Sequence, residues 1–349
     1  MAGLQAPLPL PLPVSLAMRF FRVACALLAA LITLVEPGIV RANPVRAGVE
    51  QASDPAATLA LDCGNLASPE AARALAEMPA PRIVILNGSV PIVTMESFAR
   101  FLIGMGYPAE SLRDPHDGSL AQTSYASSEE LAGALAWEYE HDALRPMLIG
   151  HSQGGMMVVR TLHELAGEFH DSIPVFNPVT RTEEPRTSIR DPYSGHERPV
   201  VGVEVAFAAA IATGTLPRIL LLQWSMLPKL RRIPDTAQDF TGFTIAWDPI
   251  AGNLGTGEPY VATGTANVRN VLLPAAYSHI GAPITEHLAA QPATRAWING
   301  WRPDATAAPL PDAADVDVRN LLHAADLWFS VRRHWCLEGQ RWLRAHGHT

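Results

Sequence analysis

Ser152 stands in the string Gly150-His151-Ser152-Gln153-Gly154-Gly155, where the short apolar run Met147-Leu148-Ile149 gives way to a segment whose Met156, Val159, Leu162 and Leu165 recur at helical spacing. A serine placed between a strand and a helix in Gly-x-Ser-x-Gly occupies a sharp, strained turn, and side chains two residues to either side would collide with the neighbouring elements. The chemistry open to such a serine is nucleophilic attack on a carbonyl carbon. Its hydroxyl is a weak nucleophile at neutral pH, so it needs a histidine to take its proton and an acid to orient that histidine.

Behind an elbow of this kind the acid and then the histidine follow in the chain, each after a later strand. The β-rich run at 241–247 ends in Asp248-Pro249, which makes Asp248 the candidate acid. The next β-leaning run, 268–273, leads through Pro274 to Ser278 into His279, the candidate base. The plainer alternatives are a turn-forming aspartate before proline and a satisfied loop histidine. His287 falls in the helix-like stretch 283–290 and reads as a partly exposed helix residue.

A tetrahedral oxyanion needs two backbone N–H donors, one from the residue after the nucleophile and one from a loop after an earlier strand. Gln153 supplies the first by position. The strongest strand signal in the chain, 81–86, runs into Asn87-Gly88-Ser89-Val90, which places the second donor at Ser89. Asn87-Gly88 also fits a plain turn dipeptide. Neither a His-Glu-x-x-His string nor a Cys-x-x-Cys pair occurs, so the sequence points to no metal and the chemistry calls for no cofactor.

With these residues in place the chain resembles the α/β-hydrolase superfamily over about 81–301, and its Gly-His-Ser-Gln-Gly-Gly elbow looks most like that of secreted bacterial lipases and esterases. The resemblance implies an α/β fold, with a mostly parallel central sheet and helices on both faces, and ester hydrolysis through an acyl-enzyme. Two departures stand out. Asn87-Gly88 replaces the usual His-Gly before the oxyanion turn, and Asn177-Pro178-Val179-Thr180 replaces the lipase-type Gly-Thr-Pro-His-x-Gly. The catalytic parts are therefore better matched than the lipase assignment.

The elements that must hold these residues are visible in the pattern of the chain. Helical stretches are expected at 69–78, 95–105, 128–144 and 153–169, and an insertion of about sixty residues, 180–239, reads as a cap. Within it, 216–230 carries Leu220, Leu221, Trp224, Leu227 and Leu230 at helical spacing. That face is either a lid, with Leu221 and Trp224 lining an acyl pocket, or a helix packed on the sheet edge. A Pro/Ala linker at 304–314 precedes a C-terminal helical extension, about 313–349, with an apolar face for packing or for a dimer contact.

Met18-Arg19-Phe20-Phe21-Arg22 followed by the short apolar stretch 23–35 and by Val40-Arg41-Ala42 reads as an export signal covering 1–42, with Met18 the better start. The remainder, 43–349, then forms the catalytic domain of an exported, periplasmic or extracellular protein. Cys25 lies in the signal, and Cys63 and Cys336 are left either to pair or to stay as two buried thiols. With 48% hydrophobic and 17% charged residues the chain has ample core, and a net charge of −8 without a basic stripe argues against nucleic acid as a partner. No stable membrane span is expected in the mature chain. The expectation is a serine hydrolase acting on a small-molecule or lipid ester, with a thioesterase, an acyltransferase or a non-catalytic binding protein of the same fold as rivals.

Overall fold

Ile83–Leu86, Met147–His151 and Val205–Ile211 contain no formally charged side chain, and all of their residues are buried. Runs of this kind belong to a parallel sheet covered on both faces. In the computed structural model, which describes residues 55–89, 93–304 and 318–346, they form β1, β2 and β3. With β4 (Ala237–Ile245) and β5 (Asn267–Leu273) they make a five-stranded sheet in the order β1-β2-β3-β4-β5. Every neighbouring pair is parallel. Beyond β1, Gln122 donates its N–H to the Ile85 carbonyl at 2.8 Å and accepts from Asn87 N–H at 2.9 Å, steadying the chain as it leaves the strand.

After a short helical turn at Pro55–Leu59, the helices that cover the sheet or flank the site are α1 (Pro69–Glu77), α2 (Glu96–Gly104), α3 (Ser128–Asp142), α4 (Gln153–Leu165), α5 (Leu216–Leu220), α6 (Glu286–Ala290), α7 (Pro292–Gly300) and α8 (Leu321–His346). Ser68 caps α1 by accepting from Ala71 N–H, and Ser127 caps α3 by accepting from Glu130 N–H. Strand side chains alternate between two cores. Ile83, Ile85, Met147, Ile149, Phe207 and Ile211 face α1, α2 and α6 to α8. Val84, Leu86, Leu148, Ala208 and Ala210 face α3 and α4. Helices therefore cover both faces of a mostly parallel sheet. The apolar face of α8 (Leu321, Leu327, Trp328, Val331, Trp335) is spent on the first of these cores.

The chain between 180 and 239 corrects the expectation of one cap insertion. Val205–Ile211 is the middle strand of the sheet, and β4 already begins at Ala237. An apolar run that is rich in alanine carries little β-branched signal, so helix and buried strand look alike in sequence. Outside the sheet there remain two small hairpins, Phe176–Asn177 with Thr182–Glu183 and Ser188–Arg190 with Glu197–Pro199, and the crossing segment 212–236. That segment is not one amphipathic helix either. It holds the single turn of α5, a residue with positive φ at Leu222 (57°) and a 3-10 turn at Trp224–Met226.

Cys63 and Cys336 are joined in a disulfide, Cα–Cα 5.5 Å, which fastens the arm before α1 to α8 across a separation of 273 residues. The sequence left this pairing open. Residues 1–42, including Met18 and Cys25, lie outside the described residues, as does most of the linker at 304–314. Among the described residues no helix is long and apolar enough to cross a membrane.

Glu138 of α3 is 4% exposed and lies 3.2 Å from the Arg82 guanidinium ahead of β1. Burial raises its carboxyl from 4.5 to about 8, against the pull of Arg82. A raised folded-state pKa favours folding fully below the unfolded value, and that contribution is lost as pH climbs from about 4.5 through about 8. Glu138→Gln keeps the shape and removes the titration. Its melting temperature relative to the parent should therefore rise between pH 5 and pH 8.5, by several degrees; a constant offset across that range would rule the account out.

Candidate active site

All five strands run the same way, so their carboxyl ends deliver their loops to one edge of the sheet, the edge where open parallel sheets place their functional groups. Ser152 follows β2 directly and opens α4, with φ 53° and ψ −110°. Its N–H donates to the Ile211 carbonyl at 2.8 Å, and its carbonyl accepts from the Thr213 hydroxyl at 3.1 Å. The glycines around it are dictated by close approach. A Cβ on Gly150 would lie 2.6 Å from Gly155 N, and one on Gly154 would lie 2.6 Å from the Asn87 carbonyl oxygen.

His279, carried on the loop after β5, reaches Ser152 Oγ with Nε2 at 3.0 Å and Asp248 Oδ2 with Nδ1 at 2.6 Å. A carboxylate only accepts, so Nδ1 carries the proton and Nε2 is free to accept from the serine hydroxyl. Asp248, three residues beyond β4, takes two further hydrogen bonds on Oδ1 from the N–H groups of Ile250 and Ala251, both 3.1 Å. Burial opposes its charge, yet the His279 hydrogen bond and these two N–H groups prevail and hold its carboxyl below the ordinary value. The three side chains predicted from sequence thus meet in one buried relay: their exposures are 8%, 3% and 9% for Ser152, Asp248 and His279.

Gln153 begins α4 immediately after the serine. Gly88 lies against the elbow: a Cβ on it would stand 3.6 Å from Ser152 Cβ, which brings the turn containing Ser89 to the same place. Asn87, which departs from the usual histidine, accepts from Met95 N–H at 2.7 Å through its side chain and so fixes the entry to α2. His287 lies in α6, and Asp239 lies toward the amino end of β4, bound to Arg333 at 2.6 Å and His334 at 2.8 Å, away from the relay.

Leu221 and Trp224 are 43% and 54% exposed, which removes the reading in which they pack on the sheet edge; Met226 and Leu230 of the same segment are the buried ones. The segment touches the loop after β4 where Gly252 meets Leu216 and Gly214 meets Ala251. That loop exposes Trp247, Ile250 and Leu254, and the His279 loop exposes Ile280 and Ile284.

Three participants escaped the sequence reading. Arg218 of α5 is 1% exposed, and its guanidinium bonds the side-chain carbonyls of Gln153 and Gln223 and the backbone carbonyl of Gly214. No carboxylate among the described residues pairs with it, and burial pushes its pKa down to about 10, still charged at neutral pH. Thr213 braces the elbow as described, and His151 donates Nε2–H to the His279 carbonyl at 2.9 Å. None carries a spacing signal, since each acts through a contact made by the fold. A lone histidine beside the nucleophile was nevertheless visible.

Fold and site together define an α/β protein whose mostly parallel sheet bears a serine–histidine–aspartate relay at its carboxyl edge. No family model matches the chain, and no curated protein is similar to it. Among solved structures it is similar to RedJ with a PEG molecule bound in the active site, at a TM-score of 0.27 and 14% identity over 63% of this chain and 90% of that one. So loose a likeness carries no argument about this chain.

The geometry separates the two aspartates of β4 and its loop. Asp248→Asn removes the acceptor that sets the His279 tautomer, and turnover of any substrate attacked by Ser152 should fall on the order of 10³- to 10⁴-fold. Asp239→Asn should leave turnover intact and lower the melting temperature by unpairing Arg333 and His334. The reverse pattern, measured side by side, would mean that the acid has been misassigned.

Proposed function

We propose that the chain is a serine hydrolase of the α/β-hydrolase type that cleaves carboxylic esters. The observation that carries this reading is the continuous relay from Ser152 Oγ through His279 to Asp248, assembled from loops after β2, β4 and β5. Ser152 attacks the ester carbonyl while His279 Nε2 takes its proton, and Asp248 stabilises the imidazolium that results. The N–H groups of Gln153 and Ser89 take the oxyanion, and the buried Arg218 charge beside Gln153 favours negative charge developing there. His279 then protonates the leaving alkoxide. Water, activated by the same histidine, releases the acid from the acyl-enzyme.

Thioester cleavage or acyl transfer to an alcohol would use the same residues and differ only in what enters and leaves. A purely binding role gives no reason for a serine in a strained turn to face a histidine that is itself oriented by a buried acid. The apolar groups at 216–226 and 247–254 support an ester whose acyl part is itself apolar, taken against Leu221 and Trp224. The paired Cys63 and Cys336 favour an oxidising compartment, in keeping with the export signal read at 1–42.

A fluorophosphonate probe should label the parent and leave Ser152→Ala unlabelled, while ester turnover in that variant drops by several orders of magnitude with the fold retained. Turnover that survives in a clean preparation of Ser152→Ala would sink the assignment. For the acyl contact, the double variant Leu221→Ser with Trp224→Ser should be compared over a p-nitrophenyl ester series. Apolar contact is worth about 0.8 kcal/mol per methylene, roughly fourfold in kcat/KM each. Long-chain esters should therefore lose far more than the acetate, with an unchanged melting temperature. A uniform loss that tracks a lowered melting temperature would exclude the acyl contact.

A further inference from the structure

His279 belongs to the loop after β5, the edge strand, while Ser152 follows β2. Three strand spacings separate them, about 14 Å at the usual inter-strand distance. The loop must therefore lie back over β3 and β4 before its imidazole can meet the serine, and it must be held there. Its side-chain partners, Asp248 and Ser152, fix the ring. The flanking backbone is tied at Tyr277, whose hydroxyl accepts from Leu322 N–H at 3.0 Å, and at Gly281, whose carbonyl accepts from Asn320 at 2.8 Å, which leaves the His279 peptide between them to be held.

His151 supplies a backbone anchor. It is the last residue of β2 and is 2% exposed, with its ring 5.0 Å from that of His279. Nε2 lies 2.9 Å from the His279 carbonyl oxygen. That carbonyl can only accept, so the proton is on Nε2. Burial keeps the ring neutral, lowering its pKa to about 3. Nδ1 is then a bare lone pair, and no partner for it exists among the described residues. It faces Gly88, where a Cβ would stand only 3.0 Å away. The ring is thus wedged between the turn after β1 and the loop after β5, the two outer strands of the sheet.

We propose that His151 is the positioning residue of the site: its Nε2–H, donated to the His279 carbonyl, holds the base loop over Ser152, and Gly88 lacks a side chain to leave room for the ring. The inference rests on the hydrolase reading for its catalytic consequence, and its geometric part stands apart from that reading. His151→Gln places a carboxamide N–H where Nε2–H was. His151→Leu keeps the site apolar and filled without a donor.

The test measures kcat and KM for p-nitrophenyl acetate, the melting temperature, and the low-field proton resonance of His279 Nδ1–H, assigned by its loss in Asp248→Asn. In His151→Leu, kcat should fall on the order of 10²-fold, the scale of a displaced catalytic group, with KM little changed. The low-field resonance should broaden through exchange. In His151→Gln both should return most of the way to the parent. A folded His151→Leu with parental kcat overturns the proposal, as does a His151→Gln that is as impaired as His151→Leu. If the parent proves inert toward fluorophosphonate and ester, the hydrolase reading is what has failed. The resonance then decides alone: kept in His151→Leu it overturns the anchor, and lost there but kept in His151→Gln it supports it.

Discussion

The backbone of Ser152 is the constraint on which the rest of the molecule depends. A non-glycine residue at φ 53° and ψ −110° costs on the order of 1–3 kcal/mol and persists only where its surroundings over-determine it. Here they do so from three directions. β3 takes the serine N–H on Ile211, Thr213 just beyond β3 bonds the serine carbonyl, and the end of β1 presses the Leu86 and Asn87 carbonyls against Gly154. The placement of β2 between β1 and β3 is thus the arrangement that holds the turn, and each glycine of the motif marks a point where backbone meets backbone.

Charge is divided between the two ends of the same sheet. At the amino ends, Arg82 meets Glu138, Arg145 meets Glu338 and Glu204, Asp239 meets Arg333 and His334, and Arg269 meets Asp326. Most of these pairs join the sheet to α8, so they dock the C-terminal helix beside the disulfide. At the carboxyl ends Asp248, His279 and the neutral His151 are joined to one another, while Arg218 is held by carbonyl oxygens, with no carboxylate on it among the described residues. Removing a structural pair at one end and a relay member at the other should therefore produce separable effects, because among the described residues no ion pair links the two ends.

What could be read in the sequence was whatever chemistry or geometry writes into adjacent residues. The elbow, the strand before it, and the Asp and His that end later β-rich runs were legible because each depends on a few consecutive positions. The course of 180–239 was not. Val205 to Ile211 becomes a central strand only because β2 and β4 leave a gap of one strand for it, and an Ala-rich run does not announce that. The contacts of Arg218 and His151 were hidden for a related reason. Each bonds a group that lies far off in sequence or whose position is set by a turn, 65 residues to Gln153 in one case and 128 to His279 in the other.

The segment 213–230 shows why apolar spacing misled most there. Its arginine is inside and several of its leucines are outside: Arg218 is 1% exposed, while Leu220 and Leu222 are 70% and 73% exposed. A stretch held by its own hydrophobic burial has the opposite arrangement, since arginine is among the residues least often enclosed. Enclosing a guanidinium without a carboxylate is costly, and here three carbonyl oxygens, one of them on the residue after the nucleophile, offset that cost. The anchor is therefore polar and directed at the elbow, which frees the apolar side chains to face outward at the mouth of the site. Apolar side chains left outside in this number, Leu220, Leu221, Leu222 and Trp224, are not spent on the protein's own core. Leu216 of the segment meets Gly252 in the loop that carries Asp248, and under the hydrolase reading proposed above the acyl part of a substrate is the occupant assigned to these side chains.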